Sequence, residues 1–188
     1  MQRRSKNDEW LMAETARGDR ESLEILVRRY ASPLLTFIRR MVGDEHKSEE
    51  LFQEVFLTVW QKRGQYDVTR PFRPWLYRIA LNRCRSDFRR RAGSVNSLIL
   101  TIPADDFENA IAESHALAPL ESAIATETSI QVTAAVELLP EQQRTVVVLR
   151  IWHSLSYAEI AEVADCSEAT ARSHMHLALE ALRKRLTV

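Results

Sequence analysis

The chain has 188 residues, 45% hydrophobic and 28% charged, with 26 Lys and Arg balanced by 26 Asp and Glu. That composition excludes a disordered chain, and no apolar run approaches the ~18 residues of a membrane span. The basic residues Arg3, Arg4 and Lys6 are not followed by the apolar core of a secretion signal, so a soluble, cytoplasmic protein is expected.

Zero net charge conceals a segregation along the chain. Residues 1–91 carry 20 Lys and Arg against 13 Asp and Glu, residues 92–140 carry 0 against 7, and residues 141–188 carry 6 against 6. A basic first half points to a polyanionic partner, and the change of sign marks a boundary near Ala92. Cys84 and Cys166 have no C-x-x-C partner, which leaves two packed thiols rather than a zinc finger or a disulfide framework.

From Glu21 to Met41, Leu23, Leu26, Val27, Tyr30, Leu34, Leu35, Ile38 and Met41 recur at helical spacing. Pro33 interrupts them, and two helices are expected there. Gly43 fits a helix end, and Asp44 or Ser48 can cap the next helix. That helix runs through Trp60 with Leu51, Phe52, Val55, Phe56, Val59 and Trp60 as its apolar columns, opposed by Glu49, Glu50, Gln53 and Glu54. Its outer face is acidic.

Gly64, Pro71 and Pro74 make Gln61 to Pro74 a loop. From Trp75 a helix follows in which Trp75, Leu76, Ile79, Ala80, Cys84 and Phe88 alternate with Tyr77, Arg78, Asn82, Arg83, Arg85 and Arg89 to Arg91. Arginines hold phosphates and aromatic faces stack on unpaired bases, so this stretch suits a single strand of nucleic acid. Trp75 and Phe88 equally suit a core, and the arginine run also complements a helix C-terminus.

Ala92 to Ile130 lacks Lys and Arg, contains Pro103 and Pro119 and keeps no sustained period. It reads as an acidic linker, with a short helix around Phe107 to Leu117. Apolar patterning resumes at Val132, Val136, Leu138 and Leu139, and Pro140 suits the first turn of a helix carrying Val146 to Leu149, Ile151 and Trp152. This last unit is small, so its independent stability should be marginal.

Its end reads as a helix-turn-helix. Ser156 and Glu159 have capping-box spacing, Ala161 offers a close crossing point, the first helix stops at Asp165-Cys166, and Ser167 caps the second. Ala171, Met175, Ala178, Leu179, Leu182 and Leu186 form its inner face. Glu168, Ala169, Arg172, Ser173 and His176 lie on the outer face, where such a helix enters the major groove. His174 and His176, two residues apart, point in different directions, which argues against a metal site. No phosphate loop, nucleophile elbow or catalytic carboxylate pair occurs, so no catalytic residue, metal or cofactor is expected. The expected fold is all-α: two small helical domains, residues 1–91 and 132–188, joined by an acidic linker over 92–131.

Glu49 to Phe56 with Trp60, the run Arg70-Pro71-Phe72-Arg73-Pro74-Trp75-Leu76-Tyr77-Arg78-Ile79-Ala80 with Asn82, then Leu138-Leu139-Pro140 and the helix-turn-helix together carry a resemblance. Over nearly its whole length the chain resembles the extracytoplasmic-function (ECF) sigma factors of bacterial RNA polymerase. The resemblance implies that the first domain is sigma region 2, binding core RNA polymerase through Glu49, Glu50, Gln53, Glu54 and Phe56. It implies that Tyr66, Arg73, Trp75, Tyr77, Arg78, Asn82, Arg83, Arg85, Arg89 and Arg90 read and melt the −10 element. The second domain is implied to be region 4, reading the −35 element through Ser167, Glu168, Ala169, Thr170, Arg172, Ser173, His174 and His176. Promoter DNA, core polymerase and an anti-sigma factor are the implied partners of a chain that is monomeric when free.

The chain departs from the family where Asp165 stands for a usual glycine, Ala169 and Ala171 for a frequent glycine and valine, and His174 for a frequent arginine. Two other readings stay open on the sequence: a sigma-like adaptor that sequesters a regulator, and a plain helix-turn-helix repressor. The neutral C-terminal unit argues against the repressor, whose affinity would need phosphate neutralisation.

Overall fold

The computed structural model describes residues 7–98 and 131–186, with side chains up to Arg91 in the first stretch. The N-terminal unit comprises α1 (Asp8–Ala16), α2 (Arg20–Val42), α3 (Glu45–Gln61) and α4 (Phe72–Leu98). The C-terminal unit comprises α5, described over 131–137, then α6 (Glu141–Val147), α7 (Tyr157–Ala164) and α8 (Glu168–Leu186). Among the described residues every regular element is helical. The acidic linker and its short helix fall largely outside the described residues, and α4 continues past Arg91 to Leu98.

α1 is not among the expected elements. Asn7 caps it by accepting from the Trp10 amide at 2.9 Å, and it buries Leu11, Met12 and Thr15 against α2. Gly18 takes φ 100°, and Asp19 then caps α2 through the Glu21 amide.

α2 is one helix, not two: Pro33 sits inside it. A proline in a helix interior costs ~3 kcal/mol through one lost hydrogen bond and a ring clash. Burial on both sides outweighs that cost, since Leu26 and Tyr30 before it and Leu34, Phe37, Ile38 and Met41 after it share one core. Gly43 ends the helix in the left-handed region at φ 72°, where its amide donates to the Arg39 carbonyl. Asp44 then accepts from the Lys47 amide at 2.9 Å and starts α3.

α4 crosses α2 and α3 and buries Phe72, Leu76, Tyr77, Ala80, Leu81 and Cys84. The Cys84 thiol is pushed up to about 12, first by burial and then by Asp87, which keeps it protonated. Trp75 and Phe88 are half-buried and pack on the same core.

In the C-terminal unit α6 widens after Val147 into a π turn over Val148–Trp152. Such a turn re-aims the side chains that follow it. Here His153 closes the turn, and Ser154 at φ 53° reverses the chain so that Leu155 is buried and Ser156 can start α7. The capping box is formed as expected: Glu159 donates its amide to the Ser156 Oγ at 3.2 Å, and its carboxylate accepts from the Ser156 amide at 2.7 Å. Asp165 takes the left-handed turn position at φ 56°. It is a tolerable substitute for glycine, because a short polar side chain visits this region more readily than most.

Ala171, Met175, Ala178 and Leu182 form the buried stripe of α8, but Leu179 and Leu186 do not belong to it and are 47% and 43% exposed. The steps of four, three and four residues along the stripe leave those two leucines on its flank, and among the described residues no neighbouring helix covers that flank enough to bury them. The small core of the C-terminal unit is continuous with that of the first. α7 packs along α4, while the π turn and α6 meet α2. Arg144 spans the join, donating to the Met41 carbonyl at 2.9 Å and to the Leu139 carbonyl at 3.1 Å.

Candidate nucleic-acid and polymerase interfaces

The outer face of α8 begins at its cap. Ser167 accepts from the Thr170 amide at 3.0 Å and its hydroxyl meets the Thr170 hydroxyl at 2.8 Å. Glu168, Ala169, Thr170, Arg172, Ser173 and His176 are all exposed, and His174 is half-buried. Arg172 lies over the Tyr157 ring, 4.4 Å from its centroid, and 3.4 Å from Glu168. Its side chain is held at the front of the helix by a residue of α7, so the two helices of the motif together aim it. The positive helix N-terminus adds a general attraction for phosphate.

The loop before α4, the first turns of α4 and Glu162 of α7 enclose a cavity of about 160 Å³ lined by Gln65, Tyr66, Asp67, Arg70, Trp75, Arg78 and Glu162. Tyr66 is itself packed in, its ring 5.1 Å from Trp75 and 5.9 Å from Phe72. Trp75 and Arg78 are half-buried and reach this hollow, an aromatic wall beside a cation. Such a pairing suits an unstacked base with its phosphate. Gln65, Asp67 and Arg70 lie within the stretch Gln65 to Arg91 for which the resemblance implies a −10 role, without being singled out there as readers. Their polar character in a Gly- and Pro-bounded loop was the available signal.

Further along α4, Asn82 and Arg89 are exposed, and Arg85, Phe88, Arg89 and Glu141 line a second, open hollow. Not every expected residue faces outward. Tyr77 is fully buried, its hydroxyl sharing a 2.9 Å hydrogen bond with His153 Nδ1, so in this arrangement no base reaches it. The guanidinium of Arg73 donates to the His153 carbonyl. Arg83 bonds the Thr58 hydroxyl at 2.7 Å and lies 3.4 Å from Glu54, which ties a residue expected on DNA to one expected on polymerase. Arg90 and Arg91 converge on Asp87, which is 2% exposed, at 3.1 and 2.8 Å.

The acidic face of α3 presents Glu49, Glu50 and Gln53 to solvent, with Glu54 half-buried. Phe56 lies beneath, 7% exposed and edge-on to Phe52, so it supports this face from the core side. Leu57 is the exposed apolar residue of the face, at 60%, one helical turn from Gln53. Sequence periodicity passed over it because it interrupts the buried columns.

His153 is a buried titratable group, 4% exposed. Burial first, then Arg73 on α4 and Arg40 on α2, lower it to about 4. It is therefore neutral in the folded arrangement, and its contribution to stability is full above the ordinary histidine value and is lost as pH falls towards about 4. Urea unfolding at pH 7.5 and pH 5 should show the parent losing more stability on acidification than His153→Gln. Equal losses in the two proteins would take His153 out of that pH dependence.

The chain matches Sigma-70 region 2 over residues 26–93 and Sigma-70, region 4 over residues 129–182. It is 32% identical over 186 residues to the RNA polymerase sigma-H factor of Pseudomonas aeruginosa, covering 96% of this chain and 94% of that one. It is 31% identical over 180 residues to the ECF RNA polymerase sigma-E factor of Escherichia coli, covering 93% and 92% of the two chains. The chain belongs to the ECF RNA polymerase sigma factors. As an ECF sigma factor it directs RNA polymerase to promoters for transcription initiation.

Its fold is shared with CnrH, solved in complex with the cytosolic domain of CnrY, at a TM-score of 0.71 over 96% of this chain and 97% of that one, with 24% identity. It is likewise shared with RpoE of Bartonella quintana, solved with the anti-sigma factor NepR, at a TM-score of 0.72 over 88% of this chain and 96% of that one, with 21% identity.

Proposed function

We propose a division of labour among three faces of this ECF sigma factor. The exposed row of Glu50, Gln53 and Leu57 on α3, with Glu49 and Glu54 beside it, docks on core RNA polymerase. The hollow walled by Tyr66, Trp75 and Arg78, continued by Asn82, Arg85, Phe88 and Arg89 along α4, captures the unpaired strand of the −10 element. The front of α8, led by Arg172 and Ser173, reads the −35 element, with His174 and His176 nearer the phosphates. The protein supplies binding energy and geometry rather than catalysis and acts in the cytoplasm beside polymerase. Following its structural relatives, an anti-sigma protein is its negative partner.

The observation that carries this reading is the cavity before α4. It sets an aromatic wall and a cation on the same rigid unit as the acidic α3 face, so a melted base and the polymerase are held in fixed relation. Strand separation costs a few kcal/mol per base, and contacts made only with the extruded base offset it. Run-off transcription on fragmented genomic DNA with core polymerase should yield discrete new starts that share two upstream elements. Polymerase binding without new starts would favour a sigma-like adaptor.

The α3 assignment has its own test. Glu50→Ala with Gln53→Ala should weaken co-elution with core polymerase while leaving helicity unchanged, because both side chains are exposed and only Glu50 has a partner within α3, Lys47 at 2.7 Å. A double variant that co-elutes as the parent does marks the face as solvated only.

A further inference from the structure

The residue before the first turn of α4 is Pro71, whose ring can accept no hydrogen bond, so the helix start has no capping side chain at that position. Pro71 and Pro74 also have no backbone N–H, which leaves the Phe72 amide as one of the few donors that this start must satisfy. Its acceptor comes from 63 residues away: the amide donates to Glu9 Oε1 on α1 at 3.0 Å. Glu9 is half-buried and Phe72 fully buried, so the contact lies inside the fold.

The neighbouring side chains fix both partners. Asp8 accepts from the Arg29 guanidinium and from the Tyr30 hydroxyl, which pins α1 to α2. The Tyr30 ring stands edge-on to Phe72 at 5.6 Å, and Phe72 in turn lies 6.0 Å from Trp75. Tyr66 donates its hydroxyl to the Arg70 carbonyl, while Asp67 accepts from the Thr69 amide at 2.9 Å and closes the loop as a turn. Burial first, and Glu9 next, hold the Tyr66 hydroxyl well above the ordinary tyrosine value, so it stays a donor.

Phe72 and Trp75 are one helical turn apart on α4, so the bond that sets Phe72 also sets where the Trp75 wall stands. We propose that Glu9 is a positioning residue for capture of the melted −10 base. From α1, ahead of the residues 26–93 that match region 2, it fixes the first turn of α4 and with it the cavity of Tyr66, Trp75 and Arg78. This rests on the strand-binding role given above to that cavity. A carboxylate also suits the positive end of α4, which strengthens the bond. Without it the buried Phe72 amide loses its acceptor, and a buried donor without a partner is costly. The first turn then loosens, and the cavity is no longer ready-formed when the base arrives.

The test is transcription by core polymerase with the full chain on one promoter recovered in the run-off assay above. The template is used as a full duplex and in a form left unpaired across the −10 element by changes in the transcribed strand. Glu9→Ala should lose roughly three- to tenfold in output from the duplex, the fold-change of one hydrogen bond. On the unpaired template, where opening no longer depends on capture, it should stay within about twofold of the parent. Glu9→Gln keeps an acceptor oxygen of the same reach and should restore output from the duplex. No loss in Glu9→Ala, equal losses on the two templates, or a Glu9→Gln output no better than that of Glu9→Ala overturns the positioning role.

Arg78→Ala separates this inference from the reading beneath it, because Arg78 lines the cavity itself. A duplex loss in Arg78→Ala with none in Glu9→Ala overturns the positioning alone. Parent-like duplex output from Arg78→Ala fails the strand role of the cavity and the positioning with it.

Discussion

Arg172→Ala should cost ~1–3 kcal/mol of −35-dependent promoter recognition, the range of a base-reading arginine. Position and preparation both support this. Ala171 is fully buried immediately before it, which fixes the rotation of α8 and turns Arg172 outward, where its side chain is 61% exposed. The Tyr157 ring and Glu168 restrict the guanidinium before DNA arrives. An ordered side chain loses less entropy on binding, so more of the contact energy appears as affinity. Transcription by the variant and the parent from paired templates, with and without an intact −35 element, measures the effect. The parent should lose output when the element is removed, and the variant should be nearly indifferent. A variant that keeps the parent's ratio removes Arg172 from the readers. Tyr157→Ala should produce a smaller loss of the same kind, since it frees the arginine without deleting it.

The local devices of this fold were legible in the sequence because each depends on residues within one helical turn. Ser156 with Glu159, Ser167, Gly43 and, of the two candidates Asp44 and Ser48, Asp44 form the expected caps. Continuity across Pro33 was not legible, because a proline's cost is local whereas the burial that outweighs it comes from α3 and α4, brought there only by folding. Leu179 and Leu186 fit the helical period as well as Leu182 does, and only the position of the neighbouring helices decides which are covered. Tyr77 and Phe56 stand in stretches rich in functional-looking residues, yet burial assigns them to the core. The join between the two units was the least legible feature. Tyr77 and His153 are far apart in sequence, and a histidine between Trp152 and Ser154 reads as an ordinary turn residue until α4 is packed against it.

One ring of α2 reaches across the join between the two units, and Phe37→Ala should destabilise the protein by ~3–5 kcal/mol, the cost of emptying a well-packed aromatic site. Domain stabilities of about 5–15 kcal/mol leave little margin for such a loss. Phe37 is fully buried, edge-on to Tyr77 at 5.2 Å and 85° and to His153 at 5.8 Å and 77°. Its removal opens the core of the N-terminal unit and withdraws a wall from the buried imidazole. Urea unfolding followed by circular dichroism gives the magnitude, with Phe52→Ala as the comparison because Phe52 is only half-buried and should cost less. Equal costs for the two would mean that the Phe37 site collapses freely and that the join is not anchored there. The coupling is the sharper measurement. Since one ring supports both Tyr77 and His153, Phe37→Ala and His153→Gln should be non-additive, as residues in direct contact are. Phe37→Ala should also flatten the stability difference between pH 7.5 and pH 5, because an imidazole reached by water no longer resists protonation. A parent-like pH difference in Phe37→Ala would locate the acid sensitivity elsewhere and leave His153 held by α4 alone.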